Sequence, residues 1–283
     1  MTSKLRLAFT TYLAEEIDRN AGLLSRQGWV DPNTGGPDVE RILPLLGKQE
    51  QRLPHEVDMV LAKSHWVGAA YEAMDDLKIA LAWYRLGQYG WRGGMHFTKA
   101  VKDRVDFGQR EAAARNQLLA AICADRVGQT ARARDLYLWA AENRTLTPGE
   151  MEELTKTRQY TVLWEWGSAR AYALACLERW AEAMAVGVEA ESWLERDRRA
   201  QTGESCWAPL RILPVVMALA RYQVSPSEYA RQAVREMIHP QAVATRSHSD
   251  HLMALFFLFN LRARHPNLAN PPSEERPSAE HAR

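Results

Sequence analysis

Two stretches decide the fold: Leu118–Ala141, LLAAICADRVGQTARARDLYLWAA, and Ala169–Ala190, ARAYALACLERWAEAMAVGVEA. In the first, Ala121 is followed by Ala133, Tyr137 and Ala140 at steps of twelve, four and three; in the second, Ala171 leads to Ala183, Gly187 and Ala190 at the same steps. Apolar residues recur three and four apart, as on one face of an α-helix, and Gly128 splits the first stretch in two. Each stretch therefore reads as two helices that cross where side chains are small, since only small side chains let helix backbones approach closely.

The same steps recover weaker copies. Ala218 leads to Ala230, Val234 and Met237, and Ala82 leads to Gly94, Thr98 and Val101. The anchors Ala82, Ala121, Ala171 and Ala218 stand 39, 50 and 47 residues apart. Over residues 75 to 240 this pattern resembles the tetratricopeptide repeats, whose usual period is about 34 residues, so the copies here are degenerate and their helices lengthened. The resemblance implies an all-α fold of antiparallel helix pairs stacked into a superhelix, the first helix of each pair lining a concave groove. Carrying the groove positions onto this chain picks Asp76 and Trp83, then Arg115, Asp125 and Arg126, then Glu165 and Tyr172, then Tyr222. That set mixes aromatic anchors with both signs of charge. It suits a peptide or folded protein better than a nucleic-acid backbone, which calls for mostly Lys and Arg with stacked aromatics.

Outward from these stretches, sparse glycine and proline clusters separate long helical patterns. Residues 1–54 hold a first helix, from Lys4 to Arg26, and the turn-rich run Asp31–Pro37. Residues 55–264 form the expected repeat domain. A long helical pattern covers His55 to Leu86 and ends in the glycine-rich run Gly87–Gly94, and another covers Pro148 to Leu177. Thr147-Pro148-Gly149-Glu150 is a start signal with a capping box, and Ser225-Pro226-Ser227-Glu228 is a second start signal. Residues 265–283, proline-rich and nearly without large apolar side chains, read as a disordered tail.

Composition limits the function. Among 283 residues, 36 Lys and Arg balance 35 Asp and Glu to a net charge of +1, which lacks the electrostatic footprint of a dedicated nucleic-acid binder. An RNA-associated helical repeat using Arg196, Arg198 and Arg199 is an alternative that this balance disfavours. Cys123, Cys176 and Cys206 form no disulfide framework and read as buried thiols of a cytoplasmic protein. The N-terminus shows no signal-peptide core, and the run Leu252–Leu261, LMALFFLFNL, spans about 15 Å as a helix against a hydrocarbon layer of about 30 Å. It is expected to be a buried helix. Most of the ten tryptophans are expected in the core.

Chemistry-bearing patterns are weak. His248 and His251 with His239 invite a metal-binding helical enzyme as an alternative, but no third ligand has a metal-site spacing, and Ser249 or Asp250 at a helix start is the simpler account. The glycines of 87–94 lack a phosphate-loop signature. No catalytic residue, metal or cofactor is expected. The expected function is a non-enzymatic scaffold for a protein or peptide partner: a regulator, an adaptor or a toxin-neutralising immunity protein.

Overall fold

The structure is a computed structural model, in which residues 3–46, 55–90, 107–142, 147–197, 208–238 and 248–269 are described. Every regular element among them is a helix, and the contact between Val30 and Pro37 is an isolated bridge. In chain order they are α1 (Ser3–Gln27), α2 (Val39–Ile42) running into a short 3-10 turn, α3 (His55–Ala73), α4 (Leu77–Gly87), α5 (Phe107–Arg126), α6 (Thr130–Glu142) and α7 (Pro148–Lys156). Then follow α8 (Tyr160–Cys176), α9 (Trp180–Arg196), α10 (Ala208–Val224), α11 (Glu228–Met237), α12 (His248–Arg264) and α13 (Pro266–Ala269).

Consecutive helices pack as pairs: α3 with α4, α5 with α6, α8 with α9, and α10 with α11. The first three pairs share one turn. Its central residue is left-handed, at Asp75 (φ 63), Gly128 (φ 76) and Glu178 (φ 62). The next residue's N–H reaches five residues back, from Asp76 to Tyr71, Gln129 to Ala124 and Arg179 to Leu174, and so satisfies a helix-end carbonyl. Arg158 (φ 57) makes the same turn between α7 and α8. Two expected long helices are thereby corrected: the 55–86 pattern breaks at Asp75 and the 148–177 pattern at Arg158. Both expected start signals hold, since Thr147 and Glu150 form a reciprocal capping box and Ser227 Oγ accepts from Ala230 N at 3.1 Å.

The break at Asp75 moves the first anchor. Ala121 lies seven residues before Gly128 and Ala171 seven before Glu178; seven before Asp75 lies Gly68, not Ala82. From Gly68 the steps of twelve, four and three reach Ala80, Tyr84 and Gly87, all buried. Anchors at 68, 121, 171 and 218 stand 53, 50 and 47 residues apart. The first crossing is tight: a Cβ on Gly68 would stand 2.4 Å from the Tyr84 ring. Ala121, Ala133, Tyr137, Ala140, Ala171, Ala183, Gly187 and Ala190 are likewise buried. Gly94, Thr98 and Val101 lie outside the described residues.

One main core runs through all four pairs, with a second cluster around Trp29 and Trp83 and a third around Trp164, Trp166 and Trp193. The N-terminal segment shares the second cluster, where Leu23, Leu24 and Trp29 meet Val57, Leu61 and Leu86. The apolar run Leu252–Leu261 is a buried helix, as expected: every residue of the run is buried except Phe259, which is half-buried. It touches α3, α5 and α10, and reaches α8 through Tyr172 and Cys176, so it meets the first helix of every pair. The expected tail is corrected at its first residues, and 270–283 lie outside the described residues. Residues 266–269 form α13, and Leu268 is buried in the main core.

Candidate functional site

The expected groove residues divide. Trp83 is 1% exposed inside the N-terminal cluster and Tyr172 is 0% exposed in the main core, so neither offers surface to a partner. For Trp83 the cause is the misplaced anchor: α4 is the second helix of its pair, and Trp83 faces inward with Leu86. For Tyr172 the cause is α12, which covers it. Asp76 is a helix cap whose carboxylate accepts from Ile79 N at 3.2 Å. Glu165 is half-buried, and Tyr222 is half-buried against the main core. The Arg115 side chain lies outside the described residues. Asp125 and Arg126 are the two that the structure places in a network of buried polar contacts.

They sit side by side at the end of α5 and point to different neighbours. Arg126 pairs with Glu72 of α3, and the other oxygen of Glu72 accepts from Tyr84 OH at 2.9 Å. Asp125 accepts from Tyr137 OH at 3.2 Å and from Arg264 Nη1 at 2.7 Å. The two sites stand in the same register. Glu72 lies four residues after Gly68 and Tyr84 sixteen after it; Asp125 lies four after Ala121 and Tyr137 sixteen after it. The residues that sequence reasoning missed are thus Glu72, Tyr84, Tyr137, Asn260 and Arg264. The +4 offset that selected Asp125 would have selected Glu72 had the first anchor been Gly68.

The second site continues into α12. Asn260, 1% exposed, donates through Nδ2 to Tyr137 OH at 3.0 Å and to Tyr172 OH at 3.1 Å, and Tyr172 OH donates to the Phe257 carbonyl at 3.0 Å. Arg264 also donates to the Cys176 carbonyl, and its guanidinium lies 6.0 Å from the centre of the Tyr137 ring. Burial raises the hydroxyls of Tyr84, Tyr137 and Tyr172 well above the ordinary tyrosine range, so all three stay protonated and act as donors. Burial also raises Glu72, with Arg126 opposing it. The arrangement chemically suits recognition: fixed acceptors for a guanidinium and fixed phenols for a carboxamide.

It does not suit nucleophilic catalysis at the two described thiols. Burial pushes the Cys123 thiol up and the Cys176 thiol up to about 12, so the reactive thiolate is disfavoured at both. Cys206, His239 and the side chain of His248 lie outside the described residues, and His251 is buried. Among the described residues no group of three or more His, Cys, Asp or Glu is placed to hold a metal ion, and no helix is long and apolar enough to cross a membrane. No protein-family model, curated protein or solved structure matches the chain.

Proposed function

We propose that the protein is a non-enzymatic, tetratricopeptide-like helical-repeat scaffold that binds a protein or peptide partner in the cytoplasm, as a regulator, an adaptor or a toxin-neutralising immunity protein. One observation carries this reading: the face formed by the first helices of the pairs already receives a helix, held through side chains as well as packing. Asp125 and Tyr172, two positions that the tetratricopeptide resemblance assigns to the groove, both touch that helix. The near-neutral charge favours a protein partner over a polyanion.

The test is co-purification from a native lysate of the full chain beside Asp125→Asn and Glu72→Gln variants whose fold is checked by circular dichroism. A stoichiometric protein retained by the wild type and lost from a folded variant supports the reading. An identical set of retained proteins for all three chains would remove this face from consideration.

A further inference from the structure

The array of pairs is sealed at one end and open at the other. Within it the second helix of each pair packs on the first helix of the next: α4 meets α5, α6 meets α8 and α9 meets α10. The first pair is covered by the N-terminal segment, whose Leu24, Trp29, Ile42 and Leu46 close over Val57, Leu61 and Trp83. α11 is the second helix of the last pair, and its main neighbours are α10 and the four-residue α13. Fifteen and nineteen residues after their anchors, the first three pairs have Trp83 and Gly87, Leu136 and Ala140, and Val186 and Ala190, all buried except the half-buried Leu136. In α11 the same positions are Ala233, half-buried, and Met237, 37% exposed, and one turn earlier Tyr229 is 88% exposed.

α11 is thus apolar along two adjacent stripes. Ala230, Val234 and Ile238 face the molecule, Val234 and Ile238 within the main core. Tyr229, Ala233 and Met237, four residues apart in turn, form the second stripe and face outward. Glu228 holds Arg231 and Arg235 at 3.7 and 3.9 Å on the far side of the helix, and Gln232 donates to Glu236 at 3.0 Å along the stripe's edge. Covering the stripe therefore buries apolar surface without stranding a charge. Residues 270–283, NPPSEERPSAEHAR, follow α13, which itself packs on α11, but they include no large apolar side chain with which to cover it.

We infer that the stripe Tyr229–Ala233–Met237 is a self-association surface, covered by the same stripe of a second copy of this chain in an antiparallel pair of α11 helices. Two observations select that occupant. An array open at both ends adds copies head to tail, but here the first pair is already covered, so an open end meets only another open end and the contact closes as a two-fold dimer. The stripe is also self-complementary. With the two-fold axis at Ala233, small side chains meet at the crossing, and Tyr229 of each copy lies on Met237 of the other, an aromatic ring on a thioether. The helix has ten residues and is about 15 Å long, so the contact is smaller than the roughly 800 Å² per partner of a stable dimer and the association is weak, with a Kd of about 10–100 μM.

The test is sedimentation velocity of the full chain from about 1 to about 500 μM. The wild type is expected to pass from monomer to dimer in that range and to form nothing larger. Tyr229→Lys alone and Met237→Glu alone each spoil both contacts between Tyr229 and Met237, and each is expected to dimerise at least about tenfold more weakly. Both positions are exposed, so circular dichroism and urea unfolding of the two variants should match the wild type. Mixed in equal amounts, the variants should dimerise again, because one contact then pairs the introduced lysine with the introduced glutamate while the other keeps the original tyrosine and methionine. A wild type that stays monomeric overturns the inference, as do filaments, variants that dimerise like the wild type, or a mixture no tighter than its components. A different protein that co-purifies with the wild type and is lost from Tyr229→Lys would assign the stripe to that protein and equally overturn it.

Discussion

Gly68 lies against the edge of a ring that cannot retreat. Tyr84 is fully buried, its hydroxyl is held by Glu72 at 2.9 Å, and its ring packs against Phe256 at 5.7 Å between centres. A methyl group at Gly68 would meet that ring at 2.4 and 2.6 Å. Gly68→Ala is expected to cost about 1–3 kcal/mol of stability through overpacking. Gly149, in the first turn of α7, has nothing within 4 Å of an added Cβ, and Gly149→Ala is expected to stabilise by about 0.5 kcal/mol through the unfolded chain's lost freedom. Urea unfolding of both variants checks this, and equal effects at the two positions would refute the crossing described here. At this scale the small residues were legible in the sequence because a close approach leaves no other choice. The turns were not. Asp75, Arg158 and Glu178 are left-handed without being glycine, so nothing marked where α3 and α7 end. That single omission set the first anchor fourteen residues late, put Trp83 on a surface it does not occupy, and hid Glu72.

The helix α12 shows a different limit. Its burial was readable from LMALFFLFNL, but its destination was not, because a helix apolar all round has no polar face to say which neighbour it turns from. Polar contacts of Asn260 and Arg264 fix its position, and just past its end His265 adds an aromatic contact. The His265 ring packs against Trp180 at 5.6 Å between centres. Burial lowers its pKa from the ordinary value, the Arg264 charge adds to that, and Glu178 opposes it. The sign follows. Between the folded pKa and about 6.5 the unfolded chain binds the proton more readily than the folded one, so stability is present at neutral pH and is lost as pH falls through about 6.5. Glu72, whose pKa is raised, acts oppositely, losing stability as pH rises above the ordinary carboxyl range. The expected outcome is that unfolding free energy falls between pH 7.5 and 5.5 and that His265→Gln reduces this slope. Identical slopes for the two chains would show that His265 protonates as freely in the folded state as in the unfolded one.

In a chain of stacked helix pairs each pair ordinarily touches only its neighbours, and unfolding can then begin at one end and proceed by parts. This molecule adds a member that breaks the rule. Through α3, α5, α8 and α10, α12 contacts all four pairs, and the main core is continuous across them. The N-terminal cluster joins that core by way of α3, whose Tyr71 packs against both. Loss of any one pair therefore uncovers part of α12 and weakens its hold on the others, which makes the array cooperative. The tryptophans are placed to report it, with Trp29 and Trp83 in the N-terminal cluster and Trp164, Trp166 and Trp193 in the third. Thermal or urea unfolding of the wild type is expected to give coincident transitions by tryptophan fluorescence and by far-ultraviolet circular dichroism. In the Asn260→Ala, Arg264→Ala double variant the bridge is weakened where it meets α5, α6 and α8, so the two probes are expected to separate, fluorescence from the N-terminal cluster reporting a different midpoint from the helix signal. A wild type that already unfolds in steps would mean that α12 is a passenger on the array and not the element that binds its pairs into one unit.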